Sequence, residues 1–398
     1  MNENEQIFFL EINNFEFIFS VGENKENENF KLIYQNSIPI KSVNDSKIID
    51  FDLFFNLLKD SIYNIEQKLN LVLKNVILIL DNFDCSLINF TGFKKLNGTQ
   101  LDKENIIYIL NSLKSKISEI EKNKDILHIF NSKYLLDKKK TENLPIGLFG
   151  NFYSHELSFF LIDRNDYKNI KNILKKCNLK IQRIISKKFI EGVKLINENL
   201  NLDTFFKIYI NKDNSQILFF EGSALKFIQN FKFGSDLIIN DISKVIALNK
   251  DLVSEILSNS KFTEDQMENN YIEKNFFKNE NFRKIKKKLI FEIAQSRIEE
   301  LAELFLIKNV NLLSFLKEKC NVYINFEDKV CESLFAKSFK TSFSNRNTLE
   351  LDFVEKVDQV DICDTALKLV QFGWKKEALP VVQEKKSIIR RIFEIIFK

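Results

Sequence analysis

The sequence predicts an α/β fold of two similar halves, with a compact α+β block inserted in the first and an amphipathic helix at the C-terminus. Three observations predict it. A hairpin, a third strand and a helix follow one another near the N-terminus, and the same order returns about 200 residues later. The chain between the two copies carries a helix, extended segments and a loop of a different kind. Finally, seven of the ten residues from Ile388 to Phe397 are isoleucine or phenylalanine, with basic side chains at their border.

In chain order, "IFFLEINNFEFIFSVG" (Ile7 to Gly22) reads as two strands reversing at Asn13-Asn14, residues that tolerate the positive φ of a tight turn. A third strand follows near "KLIYQNSIPI". The stretch "FDLFFNLLKDSIYNIEQKLNLVLKN" has apolar residues at helical spacing. "VILIL" (Val76 to Leu80) is a short continuous apolar run, the mark of a strand buried on both faces. In the second copy, "FFKIYINKDNSQILFFEG" is a hairpin around Lys212 to Asn214, "ALKFIQNF" a third strand and "SDLIINDISKVIAL" a helix. In the block between them, "DKENIIYILNSLKSKISEIEKN" is a helix, "DILHIFNSKYLLD" an extended pair, "NLPIGLFGN" a loop and "ELSFFLID" a strand. A helix-rich stretch runs from about Asn279 to Lys319, and the last globular piece ends near "DTALKLVQFGW". Pro380 breaks the chain ahead of the terminal helix.

The totals fit two or three folded domains in 398 residues. Hydrophobic residues make up 44% and charged residues 29%, and a net charge of +4 over 59 basic and 55 acidic side chains is nearly balanced. That balance, without a basic stripe interleaved with aromatics, argues against a nucleic-acid partner. Five scattered cysteines without CxxC spacing predict reduced thiols, and two histidines make a zinc site improbable. The N-terminus is acidic where a secretory signal needs basic residues. No apolar run approaches the roughly 20 residues needed to span a bilayer. The expectation is a cytoplasmic protein that touches membrane, if at all, from the surface.

The duplicated order matches the architecture shared by actin and the sugar kinases, so the expected class is an actin/sugar-kinase-like duplicated fold with an inserted α+β subdomain, plus a C-terminal amphipathic helix. In that architecture two hairpin turns and a third loop cradle ATP phosphates with backbone N–H groups. Close approach of backbone to phosphate needs glycine, because a Cβ would intrude. This chain has nine glycines, and neither a GxGxxG nor a Walker loop. Its first turn, Asn13-Asn14-Phe15-Glu16, puts a carboxylate where phosphate would come. Its second is Asn211-Lys212-Asp213, where Lys212 reads first as a solvated turn lysine and only second as a phosphate contact.

With these pieces in place the chain resembles FtsA, the actin-like family that attaches FtsZ filaments to the membrane in bacterial cell division. "ILHIFNSKYLLD…NLPIGLFGN" looks like the family signature "vLHviPqeyxiD…NPvGLsG", with Gly147 and Gly150 on its two glycines. "LEINNFEFIFSVGE" aligns on "LDIGtSKvxaxVGE", "YINKDNSQILFFEGSAL" on "DIGGGTtDiavyxxGaL", "FGSDLIINDI" (which contains Gly234) on "GGdxiTxDIA", and "ICDTALKLVQFG" on "ysTAvGLlxyG". The resemblance spans Ile7 to Lys398. It implies residues 1–82 as subdomain 1A, completed by 163–202 and about 350–376, and 83–162 as the inserted subdomain 1C. Residues 203–240 and about 303–349 become subdomain 2A, 241–302 subdomain 2B, 377–384 a linker and 385–398 the membrane-targeting helix.

Departures from the family concentrate where it holds ATP. The first loop has Asn13 for glycine and Glu16 for lysine; the second has Tyr209 for aspartate and Asn211, Lys212 and Asp213 for three glycines. The third, "LTGGGA" in the family, reads Ile324-Asn325-Phe326-Glu327-Asp328-Lys329, and "LVSEIL" offers at most Glu255 on the adenosine side. Asn13, Asn14, Glu16, Asn211, Lys212, Asp213 and Gly234 therefore mark a degenerate nucleotide site. No cofactor is implied with certainty; ATP is the candidate, and its binding is expected to be weak or absent.

At about 100° per residue, Ser387, Arg390, Arg391, Glu394 and Lys398 fall within one third of the terminal helix. Ile388, Ile389, Ile392, Phe393, Ile395, Ile396 and Phe397 cover the rest, and Lys385 and Lys386 lead in. An apolar face bordered by basic residues suits an in-plane interfacial helix, and the alternative is a helix docked on its own core or on a second copy. "QSRIEELAEL" resembles the helix of subdomain 2B that grips the FtsZ tail, with Arg297 and Glu300 three apart on one face. The same spacing also describes an ordinary surface ion pair. The resemblance implies a non-catalytic tether of FtsZ at the inner face of the cytoplasmic membrane at the division site, with self-association and further division proteins as partners. The alternative is an actin-fold scaffold or ATPase of another membrane assembly, such as pilus machinery.

Overall fold

The computed structural model describes residues 6–13, 15–23, 30–40, 43–44, 47–48, 50–81, 83–199, 201–259, 270–277, 281–312, 315, 320–344 and 349–380. Asn14 and residues 381–398, which include every residue read as membrane-binding, lie outside the described residues. The chain divides into two compact units, one of Met1–Asp203, Glu221–Lys226 and Val357–Lys398, the other of Thr204–Phe220 and Phe227–Lys356.

In the first unit, β1 (Gln6–Ile12), β2 (Glu16–Glu23) and β3 (Lys31–Pro39) form an antiparallel meander. Two short strands, β4 (Val43–Asn44) and β5 (Lys47–Ile48), pair with each other. Helix α1 (Phe51–Leu69) begins on Asp50, whose carboxylate accepts the Leu53 N–H at 2.9 Å. It ends short of its apolar pattern because Asn70 turns left-handed, φ 50°. Strand β6 (Asn75–Leu80) then runs parallel to β1, buried from Val76 onward.

The inserted block has strand β7 (Cys85–Lys95), helix α2 (Lys103–Ile120), and strands β8 (Lys124–Leu136), β9 (Lys139–Thr141) and β10 (Phe152–Asp163). The stretch read as an extended pair, "DILHIFNSKYLLD", is instead one long strand. Irregular pairing with β10 at Glu156/Leu157 and Phe160/Leu161 absorbs its mixed pattern. Strand β7, unassigned from sequence, lies at the sheet edge, where alternation of half-buried and exposed residues gives a weak signal. Gly147 sits at φ +86° in the signature loop, a conformation that favours glycine.

His155 of β10 is 1% exposed and its Nε2 lies 2.9 Å from Asn131 Oδ1, so the neutral ring donates there. Burial first, and Lys376 second, pull its pKa down to about 4. Because the folded value lies below the unfolded one, its stabilisation is full above pH about 6.5 and is lost as pH falls toward 4. The expected outcome is an acid-side stability loss that His155→Gln removes in part, read from urea midpoints between pH 7 and 4.5.

Helix α3 (Arg164–Lys176), strand β11 (Lys180–Ser186) and helix α4 (Lys187–Glu198) follow; β11 runs parallel to β6, completing the order β11-β6-β1-β2-β3. The second unit repeats this plan. Its sheet and helices are strands β12 (Phe205–Ile210), β13 (Ser215–Glu221) and β14 (Ala224–Phe231), of which Glu221 and residues 224–226 count with the first unit, helices α5 (Asp236–Ile246), α6 (Lys250–Asn259) and α7 (Lys287–Ala302), strand β15 (Cys320–Phe326), helix α8 (Lys329–Phe343) and strand β16 (Leu349–Phe353). The sheet order is β14-β13-β12-β15-β16, with β12 antiparallel to β13 and parallel to β15, and β15 parallel to β16. Counting only the strands of each five-stranded sheet in chain order, the third, second, first, fourth and fifth lie side by side in both, so the expected duplication is real at the level of topology.

The chain closes with helix α9 (Gln359–Phe372) and strand β17 (Glu377–Pro380) in the first unit. Residues 377–380 were expected in a linker. They pair instead with β8, and proline is tolerated there because β17 is a sheet edge.

Candidate functional site

In open α/β sheets, ligands sit beyond the carboxyl ends of the parallel strands. In the first unit β1, β6 and β11 end level with one another, since Ile12 pairs with Leu80 and Leu80 with Ser186. The first predicted loop begins at that edge. Asn13 is 8% exposed, and its Oδ1 accepts the N–H groups of Phe15 and Glu16 at 2.8 and 2.9 Å. The turn is thus held by a side chain. Both of these amides are therefore already bonded.

Behind this turn lies an ion cluster that sequence reading missed. Lys187 Nζ is 2.5 Å from Glu11 Oε1 and 3.8 Å from Asp81 Oδ2, while Lys188 Nζ is 3.4 Å from Asp81 Oδ1. Glu11 is fully buried and its second oxygen, Oε2, has no hydrogen bond among the described residues. Burial pushes the Glu11 carboxyl above its ordinary pKa, with the Lys187 ammonium opposing. Burial also works against the Lys187 charge, but Asp81 and Glu11 outweigh it and keep that pKa above the usual lysine value. An ammonium therefore sits between two carboxylates at the strand ends. The available signal was polar punctuation after buried strands, "VILILD" and "IISKK".

In the second unit, the Asn211 N–H bonds to Asn214 O at 3.0 Å and the Asn211 amide to Asn214 Oδ1 at 2.8 Å. Asp213 Oδ1 accepts from the Asn214 amide at 2.6 Å. The Lys212 N–H donates to Glu327 Oε2 at 3.0 Å, so a residue of the third loop supplies the anion at the second. The turn carbonyls Asn211 O and Lys212 O accept from Ser235 N and Asp236 N, both at 2.9 Å. Gly234 permits this approach: a Cβ there would lie 2.0 Å from Asn211 O. In the third loop Asp328 caps α8, accepting from Val330 N and Cys331 N at 3.1 and 3.0 Å. Each of the three loops thus has at least one backbone amide bonded to an acceptor supplied by the loops themselves.

Arg297 and Glu300 lie on one face of α7, as spaced, with Nη1 to Oε2 at 2.5 Å. The guanidinium is also bound to Asp241 of α5. To grip a peptide carboxylate bidentately, Arg297 must exchange one of these partners.

No protein-family model matches the chain. The cell division protein FtsA of Buchnera aphidicola subsp. Acyrthosiphon pisum (strain APS) is 22% identical over 415 residues, covering 98% of this chain and 95% of that protein. The cell division protein FtsA of Buchnera aphidicola subsp. Schizaphis graminum (strain Sg) is 22% identical over 234 residues, which are 59% of this chain and 56% of its own length. Among solved structures, the PilM–PilN type IV pilus biogenesis complex superposes with a TM-score of 0.53 at 10% identity, over 92% of this chain and 98% of that one. That likeness is one of fold, and with the duplicated strand order it supports the expected actin-like α/β class.

Proposed function

We propose that this chain, a divergent relative of the FtsA cell-division proteins, is a division scaffold that ties FtsZ filaments to the inner face of the cytoplasmic membrane and does so without turning over nucleotide. The observation that carries the division role is similarity to a cell division protein along 98% of the chain. The scaffold role is supported by the loops. A phosphate arriving at them would have to displace Asn13 Oδ1, Glu327 Oε2 and Asp328 Oδ1 from the amides they hold, and two of these are carboxylates. Calorimetry with Mg-ATP is expected to show no binding at micromolar concentrations, and submicromolar affinity would overturn this part.

Membrane attachment is assigned to Lys385, Lys386, Ile388, Ile389, Arg390, Arg391, Ile392, Phe393, Ile396 and Phe397. Burying a large apolar side chain fully is worth about 1.5–3 kcal/mol, of which interfacial insertion realises part. Each basic residue adds about 1 kcal/mol beside anionic lipid, and ordering the helix offsets much of the sum. A single copy then binds reversibly, and self-association along a filament makes attachment firm. Arg297 and Glu300 are assigned to the FtsZ tail, and further division proteins would join on other faces.

Co-sedimentation with anionic liposomes and FtsZ tests the whole. The intact chain should bring FtsZ down with the liposomes, and a chain ending at Glu384 should leave both in the supernatant. If the intact chain binds liposomes but never FtsZ, the tether fails and a scaffold of another membrane assembly takes its place.

A further inference from the structure

The inserted block ends in a surface that neither its core nor the three loops account for. Three strand ends meet there, since Lys95 of β7 pairs with Phe152 of β10, and Leu136 of β8 with Tyr153. Phe93 and Phe152 stack with ring centroids 5.7 Å apart, yet Phe93 is 66% exposed. A Cβ on Gly92 would lie 2.4 Å from Ile109 of α2, so the next residue, Phe93, faces away from that helix. The neighbouring loop adds Ile146, Leu148 and Phe149, all exposed, with Phe149 at 70%. That loop is a built structure. The Gly147 N–H donates to Leu101 O at 2.9 Å, the Leu101 N–H to Leu148 O at 3.0 Å, and the Gly98 N–H to Gly150 O at 3.0 Å. The Asp137 carboxylate holds its far end, accepting from Asn151 N and Phe152 N at 2.9 and 2.8 Å. Hydrogen-bonded backbone thus holds these apolar side chains out toward solvent.

Lysines surround it. Residues 93–104 and 137–152 hold six of them and no arginine, against the four carboxylates of Asp102, Glu104, Asp137 and Glu142. Lys138, Lys139 and Lys140 are consecutive and exposed, Lys95 is exposed, and Lys94 lies over the Tyr108 ring at 4.8 Å. Asp137 is committed to the loop amides. Protein–protein interfaces favour arginine and shed lysine, because an ammonium gives up its water reluctantly. Aromatic rings beside lysines suit the edge of a bilayer instead: the ring enters, and the long stem leaves the ammonium with phosphate and water. The placement agrees. Strand β17, the last before the tail, belongs to the same sheet, with Pro380 opposite His128. From His128 along β8 to Asp137 is roughly 30 Å, at about 3.3 Å per residue. The chain thus leaves for its tail from the sheet that displays the rings.

We propose that this end of the inserted block is a second membrane contact, with Phe93, Phe149 and Phe152 entering the headgroup layer of an anionic bilayer and Lys95, Lys138, Lys139 and Lys140 meeting its phosphates. The contact goes beyond the tail and rests on the reading of the tail as an anchor only for its strength. Alone, three partly inserted rings hold too weakly to sediment a chain ending at Glu384. Beside a bound tail they act at high effective concentration. Two contacts from one sheet also fix which way the block faces the lipid, which a single point of attachment leaves free.

The full-length chain with vesicles of equal parts phosphatidylglycerol and phosphatidylcholine tests the contact. Phe93→Ser combined with Phe149→Ser alters only exposed side chains and should weaken vesicle binding at least about tenfold. Phe149→Trp, read against the Trp374 background of the unaltered chain, should shift its emission to the blue on binding and be quenched by brominated lipid. The proposal falls if the introduced tryptophan stays unquenched on vesicle-bound chain, or if the double serine variant binds as tightly as the unaltered chain. A double serine variant that keeps its vesicle affinity but loses self-association would make this surface a protein contact, which also overturns it. Ile392→Ser combined with Phe393→Ser separates the two readings. If that variant binds vesicles like the unaltered chain while the Phe93 and Phe149 variant does not, the tail reading falls and the second contact stands. If it abolishes binding and the introduced tryptophan is never quenched, the tail stands and the second contact falls. A full-length chain that binds no vesicle removes both.

Discussion

Replacing Lys187 with methionine is expected to destabilise the first unit by about 3–5 kcal/mol, the usual cost of removing one partner from a buried charge pair. Methionine keeps most of the volume, so packing is a small part of the loss. What remains is Glu11, buried and 2.5 Å from the place its ammonium occupied, with Asp81 alongside. Burial already raises the Glu11 pKa, and losing the ammonium raises it further. A carboxyl whose folded pKa lies above its unfolded value weakens the fold increasingly as pH rises through that interval. The deficit should therefore be larger at pH 7.5 than at pH 5. Glu11→Gln in the same chain should recover most of it, because no buried charge is then left without a counter-ion. Trp374, the chain's one tryptophan, packs against Phe189 of α4 and reports urea unfolding of this unit by fluorescence. A Lys187→Met chain within 1 kcal/mol of the parent at pH 7.5, roughly a fivefold change in its unfolding equilibrium, would mean the cluster is neutralised some other way.

The second large effect lies in the other unit. Gly234→Ala is expected to cost about 3 kcal/mol or more. The new methyl would stand 2.0 Å from Asn211 O and 2.8 Å from Lys212 O, and both obstacles are backbone. Relief requires moving the β12–β13 turn away from α5. That movement breaks the bonds from Ser235 N and Asp236 N to those same carbonyls and pulls Lys212 N from Glu327. Trp374 is blind to this region, so hydrogen exchange across α5 and the turn is the measurement. A contrast is Gly222→Ala, where φ is +55° but no atom lies within 4 Å; it should cost only about 1 kcal/mol. Equal costs at the two sites would mean that backbone conformation, not close approach, decides both.

Much of the fold was legible without coordinates. Hairpins, the buried run "VILIL" and helix α5 follow from periodicity and turn residues, which are local properties, and their recurrence exposed the duplication. Errors arose where local pattern is weak: edge strand β7, the long bulged β8, and β17, whose four residues look like a connector until β8 pairs with them. The three loops contain no glycine, yet the acceptors that hold their amides could not be read from the sequence. Asn13 acts over two and three residues, but Glu327 reaches Lys212 across 115 positions.

By itself, then, the order of residues determined the two-half α/β plan, the absence of glycine from all three loops and the oily, basic tail, because each is written in neighbours along the chain. Only tertiary structure decided that Lys187 meets Glu11 across 176 positions, that Arg297 is already bound to Asp241, and that Glu377 is buried between His128 and Arg183. The physical reason is common to all three. Whether a charge is solvated, paired or stranded depends on which distant segments surround it, and water is excluded only once they pack.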